Sequence, residues 1–454
     1  MDLRPLFEPR NMAVFGVSAS NFRHPANEIF NKNMLRYPVS VYGVNPRGGT
    51  INSQPIHRNI AEVPEKVDLA VIAVRADLVP EVMRDCIAAG VRSAVVISGG
   101  FTEVGRGDLQ ARIVAMAKEA SLPFVGPNCL GIYVPSHLDT FFLPGERMVN
   151  PAPGNVSFVS QSGGILVDQM IKFSAEGVGL AKAISIGNKA LLGELDLLDY
   201  FAADPATRVI AFYIEGFGPG EGREFVLKAG KCGKPVVVLK SGKSPGGSKA
   251  VASHTASLAG DHAAFSAALS QYGIVEAANE TELISFCESL GACPRRIEGR
   301  VGIVTVSGGH GAIAVDACAE RGICVPPLPE KVREEIRRSL SPSVKEIAVL
   351  ANPVDLTGSG IDEDFVAVVK SFCTLEEIDC VLALLLPYVP GITSDLGAKL
   401  GGVARQCGIP LIAYVPKVEK YAMLIEGFTL NGSPVAHSIE GAVLMADALR
   451  RNRS

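Results

Sequence analysis

The chain has 454 residues, more than one hydrophobic core organises, so two or three domains are expected. Its 48% hydrophobic and 20% charged residues exclude a disordered chain, and a net charge of −4 excludes a general attraction to nucleic acid or to anionic membrane. Its ten cysteines form no C-x-x-C pair, which argues for reduced thiols in a cytoplasm and against a disulfide framework or structural zinc, and no metal ligands are assigned.

The opening MDLRPLFEPR lacks the apolar stretch of a secretory leader. From Met12 to about Val134, apolar strands alternate with amphipathic helices: AVFGV, VSVYGV, LAVIAV, SAVVIS and PFVG, with helices such as DLVPEVMRDCIAAG and GDLQARIVAMAKEA. Continuous apolar strands between such helices predict a parallel sheet covered on both faces, a Rossmann-like unit with its ligand at the carboxyl ends of the strands. The turns at those ends are GVSASNFRHPANE, NPRGG, Val74-Arg75, SGGFTEVG and GPNCLG. None is G-x-G-x-x-G, which disfavours a nicotinamide cofactor, and Arg47 offers a phosphate partner where an NAD reader more often places an acidic residue.

Beyond the linker NPAPG (Asn150 to Gly154) a second α/β unit opens on a strand, then SQSGG (Ser160 to Gly164), then a helix. A glycine pair opening a helix leaves backbone N–H groups directed at the turn, a ready anion site. Strands follow at LAKAIS, VIAFYI and PVVVLK; the loop ISIGNKA closes the first and Glu215 the second. The basic, small-residue stretch from Leu239 to Asp261 reads as a mobile surface loop carrying His254 between Ser253 and Thr255. A neutral imidazole is a good nucleophile for a phosphoryl group, and nearby lysines reduce the repulsion that an incoming polyphosphate meets. Glu215 should emerge at the same sheet edge as that loop, where a carboxylate accepting the imidazole N–H fixes its tautomer. After CPRRIEG a third unit repeats strand, S-G-G, helix in VGIVTVSGGHGAIAVDACAERGIC, an internal echo of the second, and continues through ANPVDLTG and two strands to a helix from Ile439 to Arg450. Its apolar run CVLALLLPYV is stopped by Pro387 and Pro390, so no membrane span is expected.

Together GPNCLG, NPRGG and the serine-rich first loop resemble the CoA-binding domain of the NDP-forming acyl-CoA synthetases, the superfamily of succinyl-CoA synthetase. The resemblance implies CoA contacts at Gly16, Ser18, Ala19, Ser20, Asn45, Arg47, Val74, Arg75, Ser98, Gly99, Asn128 and Cys129. SHTASLAG resembles the phosphohistidine loop, and the resemblance implies His254 and Glu215 as the catalytic pair. SQSGG and VSGGHG resemble the helix termini that cradle phosphate, which implies Ser160, Gln161, Ser162, Gly163 and Gly164 with Ser307, Gly308 and Gly309. Gly187 and Asn188 are expected to border the acyl pocket. The expected fold is α/β: a Rossmann-like domain over 1–137 and two flavodoxin-like, succinyl-CoA synthetase-like doubly wound domains over 150–292 and 298–454. The third domain resembles the alpha part of ADP-forming acetyl-CoA (acyl-CoA) synthetases, an acid–thiol ligase of the acetate–CoA ligase (ADP-forming) class. With no ATP-grasp module in the sequence, the resemblance implies a separate ATP-grasp beta subunit in an alpha2beta2 heterotetramer. ADP or ATP and Mg2+ would sit on that partner and CoA would be a substrate here. Against this stand a non-catalytic CoA sensor, which needs neither His254 nor Glu215, and a succinyl-CoA synthetase-type ligase acting on another acid.

Overall fold

The computed structural model of the chain describes residues 1–255, 261–293 and 295–453, and for residues 252–255 the backbone alone. It divides into two compact units, Met1–Glu280 and Thr281–Arg453. The α/β expectation holds.

The first unit contains two sheets. In the first, β1 (Asn11–Phe15), β2 (Ser40–Val44), the hairpin β3 (Thr50–Ile51) and β4 (Gln54–His57), β5 (Leu69–Ile72), β6 (Ser93–Val96) and β7 (Phe124–Val125) lie in the order β3-β4-β2-β1-β5-β6-β7. All pairs are parallel except β3 with β4. Every residue of β5 and β6 is buried, as strands covered on both faces require. The chain leaves β1 first to β2 on one side and then to β5 on the other, so a crevice opens at the carboxyl end of β1.

The second sheet runs β14-β13-β12-β10-β11-β8-β9, with β8 (Gly131–Val134), β9 (Leu138–Asp139), β10 (Pro153–Ser160), β11 (Leu180–Ser185), β12 (Val209–Ile214), β13 (Val236–Lys240) and β14 (Val275–Ala277). The strands β8 and β9 precede the proline linker, yet β8 pairs antiparallel with β11, Ile132 opposite Ile184. One hydrophobic core therefore continues from Phe7, Ile29 and Phe30 through Ile132 and Leu138 to Ile184, Phe201 and Phe212. Buried Lys32 reaches Asp139 at 2.8 Å and the Phe141 carbonyl at 2.8 Å, and Phe7 stacks on Tyr200 at 4.7 Å between centroids. The switch point of this sheet lies between β10 and β12, where SQSGG and Glu215 emerge.

In the second unit, β15 (Val301–Thr305), β16 (Val349–Leu350), β17 (Val354–Asp355), β18 (Cys380–Leu384), β19 (Leu411–Tyr414) and β20 (Val435–Ala436) form a sheet ordered β16-β17-β15-β18-β19-β20. Its core is built on Val304, Phe365, Phe372, Leu385 and Phe428. Among the described residues no helix is long and apolar enough to cross a membrane, and all ten cysteines are free thiols.

Candidate active site

Carboxyl ends of β5, β6 and β7 open onto a cleft of about 710 Å³ in the first unit. Val74, Arg75, Ser98, Gly99, Asn128 and Cys129 line one side of it. The opposite side belongs to the second sheet: Gln161, Ser162, Gly163 and Gly164 after β10, with Gly187 and Asn188 after β11. Three groups of residues that the sequence assigns to CoA, phosphate and acyl group thus border one cavity. Gly16, Ser18, Ala19, Ser20, Asn45, Arg47 and Ser160 are not among its lining residues. Arg47 and Ser20 are exposed on loops that adjoin one another, since a Cβ at Gly49 would stand 3.0 Å from that of Ala19.

These loops are preset by hydrogen bonds. The Ser18 N–H donates to Asn27 Oδ1 at 2.8 Å, and Ser18 Oγ accepts from the Asn21 N–H at 3.0 Å. Asn45 Nδ2 donates to the Val17 carbonyl at 2.9 Å while its Oδ1 accepts from the Arg47 N–H at 3.0 Å. Ser98 Oγ donates to the Ile72 carbonyl at 3.3 Å and accepts from the Val74 N–H at 3.2 Å, so it ties two strand ends together. The Cys129 thiol donates to the Val96 carbonyl at 3.3 Å, and burial pushes it up to about 12, so it stays a thiol at neutral pH.

A close backbone approach joins the two sheets. Gly187 has φ +55°, and a Cβ there would lie 2.3 Å from the Asn128 carbonyl oxygen. Beside it, Asn188 Nδ2 donates to Glu103 Oε2 at 2.6 Å, to Thr102 Oγ1 at 3.1 Å and to Gln110 Oε1 at 3.1 Å. Burial raises the Glu103 carboxyl, but the bonds from Asn188 and from the Gly100 and Phe101 N–H groups outweigh it and hold the group below its ordinary value. Gly187→Ala should destabilise the chain by roughly 1–3 kcal/mol through overpacking, read as a lower urea midpoint; an unchanged midpoint would mean that the approach relaxes at no cost.

After β10, Ser162 caps the helix Gly163–Ala175, accepting from the Ile165 N–H at 3.4 Å, and the first two N–H groups, those of Gly163 and Gly164, have no intrahelical acceptor. Ser160 Oγ donates to the Ser162 carbonyl at 2.6 Å and accepts the Ser162 N–H at 3.2 Å, which shapes this turn from behind. The second unit repeats the device by itself: Thr305 Oγ1 donates to the Ser307 carbonyl at 3.4 Å and accepts its N–H at 3.2 Å, ahead of the helix Gly308–Glu320. There Asp355 stands at the strand end beside Gly308, where a Cβ would meet its Oδ2 at 3.1 Å.

Glu215 is buried at the end of β12. Its carbonyl accepts from Lys240 Nζ at 2.7 Å, and Lys240 also donates to the Ser241 carbonyl. Lys243 donates to the carbonyls of Ala277 and Ala278 at 3.2 and 3.1 Å. These two cations hold backbone together at the ends of β12, β13 and β14. The stretch around His254 is not wholly a loop: Pro245–Thr255 is a helix. Ser244 Oγ accepts the Gly247 N–H at 3.1 Å and Pro245 occupies the first turn, a start signal that outweighs the glycine pair. The His254 backbone lies in the last turn of this helix; its side chain and residues 256–260 lie outside the described residues.

Two family models match, a CoA binding domain over residues 10–135 and a succinyl-CoA ligase-like flavodoxin domain over residues 153–290. The alpha subunit of ADP-forming acetate–CoA ligase II from Pyrococcus furiosus is 35% identical over 460 residues, covering 98% of this chain and 96% of that subunit. The chain belongs to the ADP-forming acetate–CoA ligase family. Another family member, ADP-forming acetate–CoA ligase I of Archaeoglobus fulgidus, is 38% identical over 84% of this chain; the chain spans 54% of that protein, about half its length. Among solved structures, a dinucleotide-forming acetyl-coenzyme A synthetase 1 of Ca. Korarchaeum cryptofilum, in complex with phosphate and ADP, superposes with a TM-score of 0.87 at 31% identity over 99% of this chain and 96% of that one.

For this family member the cleft adds residues that the sequence did not single out: His24 and the apolar wall of Leu130, Phe142, Leu143 and Val167. His24 caps the helix Pro25–Arg36, its Nδ1 accepting the Ala26 N–H at 3.2 Å, so the neutral ring carries its proton on Nε2. Burial lowers its pKa and keeps it neutral. The His-Pro step, a cap followed by proline at the first helical position, was the available signal.

Proposed function

We propose that this chain is the CoA- and phosphate-handling alpha subunit of an NDP-forming acyl-CoA synthetase, interconverting acyl-CoA, ADP and phosphate with carboxylic acid, CoA and ATP. The observation that carries the reading is the single cleft bordered by the coenzyme-domain strand ends on one side and, on the other, by Gly163 and Gly164, whose N–H groups open a helix and have no intrahelical acceptor. A phosphate at that helix terminus is favoured by the N-terminal N–H groups and the helix dipole. One of its oxygens attacks the thioester carbonyl, the C–S bond breaks, and the CoA thiolate leaves and takes a proton. The acyl phosphate then gives its phosphoryl group to an imidazole nitrogen of His254, with loss of the carboxylate. Glu215 accepts the N–H of the other ring nitrogen and stabilises the charged ring. In the last step an ADP oxygen attacks phosphorus and the P–N bond breaks.

Nucleotide and Mg2+ are assigned to a separate ATP-grasp beta subunit in an alpha2beta2 assembly, in a cytoplasmic setting that the free thiols suit. The relative from P. furiosus, itself named as a subunit, supports the division of labour. Ser307, Gly308 and Gly309 are assigned to a second phosphate-facing terminus, supported by the repeated hydroxyl brace. The chain alone, given acetyl-CoA and phosphate, should release CoA thiol and form acetyl phosphate, trapped as the hydroxamate, without producing ATP from ADP. A chain that binds CoA but never releases thiol from an acyl-CoA would be a CoA sensor instead.

A further inference from the structure

Gln161 lines the cleft, but its amide is fully used inside the protein. Its Oε1 accepts the N–H groups of Glu215 at 2.5 Å and of Gly216 at 3.0 Å. Its Nε2 donates to the Gly216 carbonyl at 2.7 Å and to Glu194 Oε1. Its own N–H donates to the Tyr213 carbonyl at 3.3 Å. Neither end of the side chain is left to hold a phosphate.

Glu194 is the first residue of the helix Glu194–Ala203 and is 3% exposed. Burying a carboxylate is costly unless it is paired, and here it is paired on three sides. Lys189 Nζ lies 3.2 and 3.1 Å from its two oxygens, Gln161 donates to it, and the helix terminus adds a favourable dipole. Lys189 also donates to the Gly216 carbonyl at 2.9 Å. The Gly216 carbonyl thus receives bonds from both Gln161 and Lys189, and the peptide groups of Glu215 and Gly216 are held from the SQSGG turn and from the GNK loop together. Asn188, adjacent to Lys189, is the residue bonded to the coenzyme domain.

We infer that Gln161, Lys189 and Glu194 form a positioning unit that sets the backbone from which the Glu215 side chain projects, and links its placement to the loop bordering the cleft. This rests on the role proposed for Glu215. None of the three residues takes part in the chemistry; they act through Glu215. A charge in such a unit matters through geometry, because a displacement of about 1 Å at a reacting group costs about 10²-fold in rate.

The test is the rate at which acetyl [32P]phosphate places acid-labile label on the full chain. Glu194→Gln keeps the shape and loses the charge. It should slow labelling about 10²-fold and leave the dissociation constant of CoA, read by calorimetry, within about twofold. Combined with Glu215→Gln the effects should be non-additive, because residues acting through one group do not multiply. Should Glu194→Gln not fold, the partly exposed Lys189→Met serves in its place with the same expectations, and Lys189→Arg, which retains the cation, should restore most of the rate. Label appearing at wild-type rate in both variants, or effects that multiply with Glu215→Gln, would overturn the inference alone. No label on the wild-type chain would overturn the proposed function and the inference with it.

Discussion

Replacing His254 by alanine should abolish ATP formation in the complete enzyme, by at least about 10³-fold, while acetyl phosphate still forms from acetyl-CoA and phosphate. The separation follows from the chemistry. In the mechanism proposed above, attack of phosphate on the thioester uses the cleft and the Gly163–Gly164 terminus, whereas passage of the phosphoryl group to ADP uses the His254 nitrogen as carrier. Alanine is the strongest helix former, so the helix Pro245–Thr255 should persist in the variant and the loss should report chemistry. The measurement is acid-labile, base-stable label from [γ-32P]ATP, present in the wild type and absent in His254→Ala, beside a hydroxamate assay for acetyl phosphate. Label that survives acid, or that persists in the variant, would move the carrier to another residue.

Glu215→Gln should lower ATP turnover by about 10² to 10⁴ with CoA affinity unchanged. The residue is 5% exposed, its N–H is held by Gln161 at 2.5 Å and its carbonyl by Lys240 at 2.7 Å, so the isosteric amide should occupy the same place. What changes is charge. Burial pushes the Tyr213 hydroxyl up, and the Glu215 carboxylate beside it adds to the shift. In the proposed mechanism the carboxylate is the counter-charge of a phosphorylated imidazolium, so its removal should slow passage of the phosphoryl group through His254. Turnover at the wild-type rate would remove Glu215 from the mechanism.

Much of this architecture was legible because parallel strands buried on both faces announce themselves as apolar runs: LAVI, SAVV and VIAFYI are such segments. The strand β8 was not, because GIYV is short and its partner β11 lies about fifty residues on, across a proline linker. Within the site, glycine turns could be read since a helix terminus needs few residues to define it. The true partners of Gln161 could not, being 33, 54 and 55 residues away, so an amide in a phosphate-like turn looked like a ligand. The helix that carries the His254 backbone was hidden by composition, although Ser244-Pro245 carried its start signal.

The strand exchange at β8 and β9 bears on how this protein can be recombined. A crossover in NPAPG, between genes of two relatives, would draw β8 from one parent and its ladder partner β11 from the other. Moving the crossover upstream of Gly131 rescues the ladder but divides Lys32 from Asp139, a buried ion pair whose members fit each other. Phe7 and Tyr200 are divided either way. Residues up to Glu280 are therefore a single block of inheritance, and viable chimaeras should be found where the parents are joined after it, not at the linker that looks like a seam.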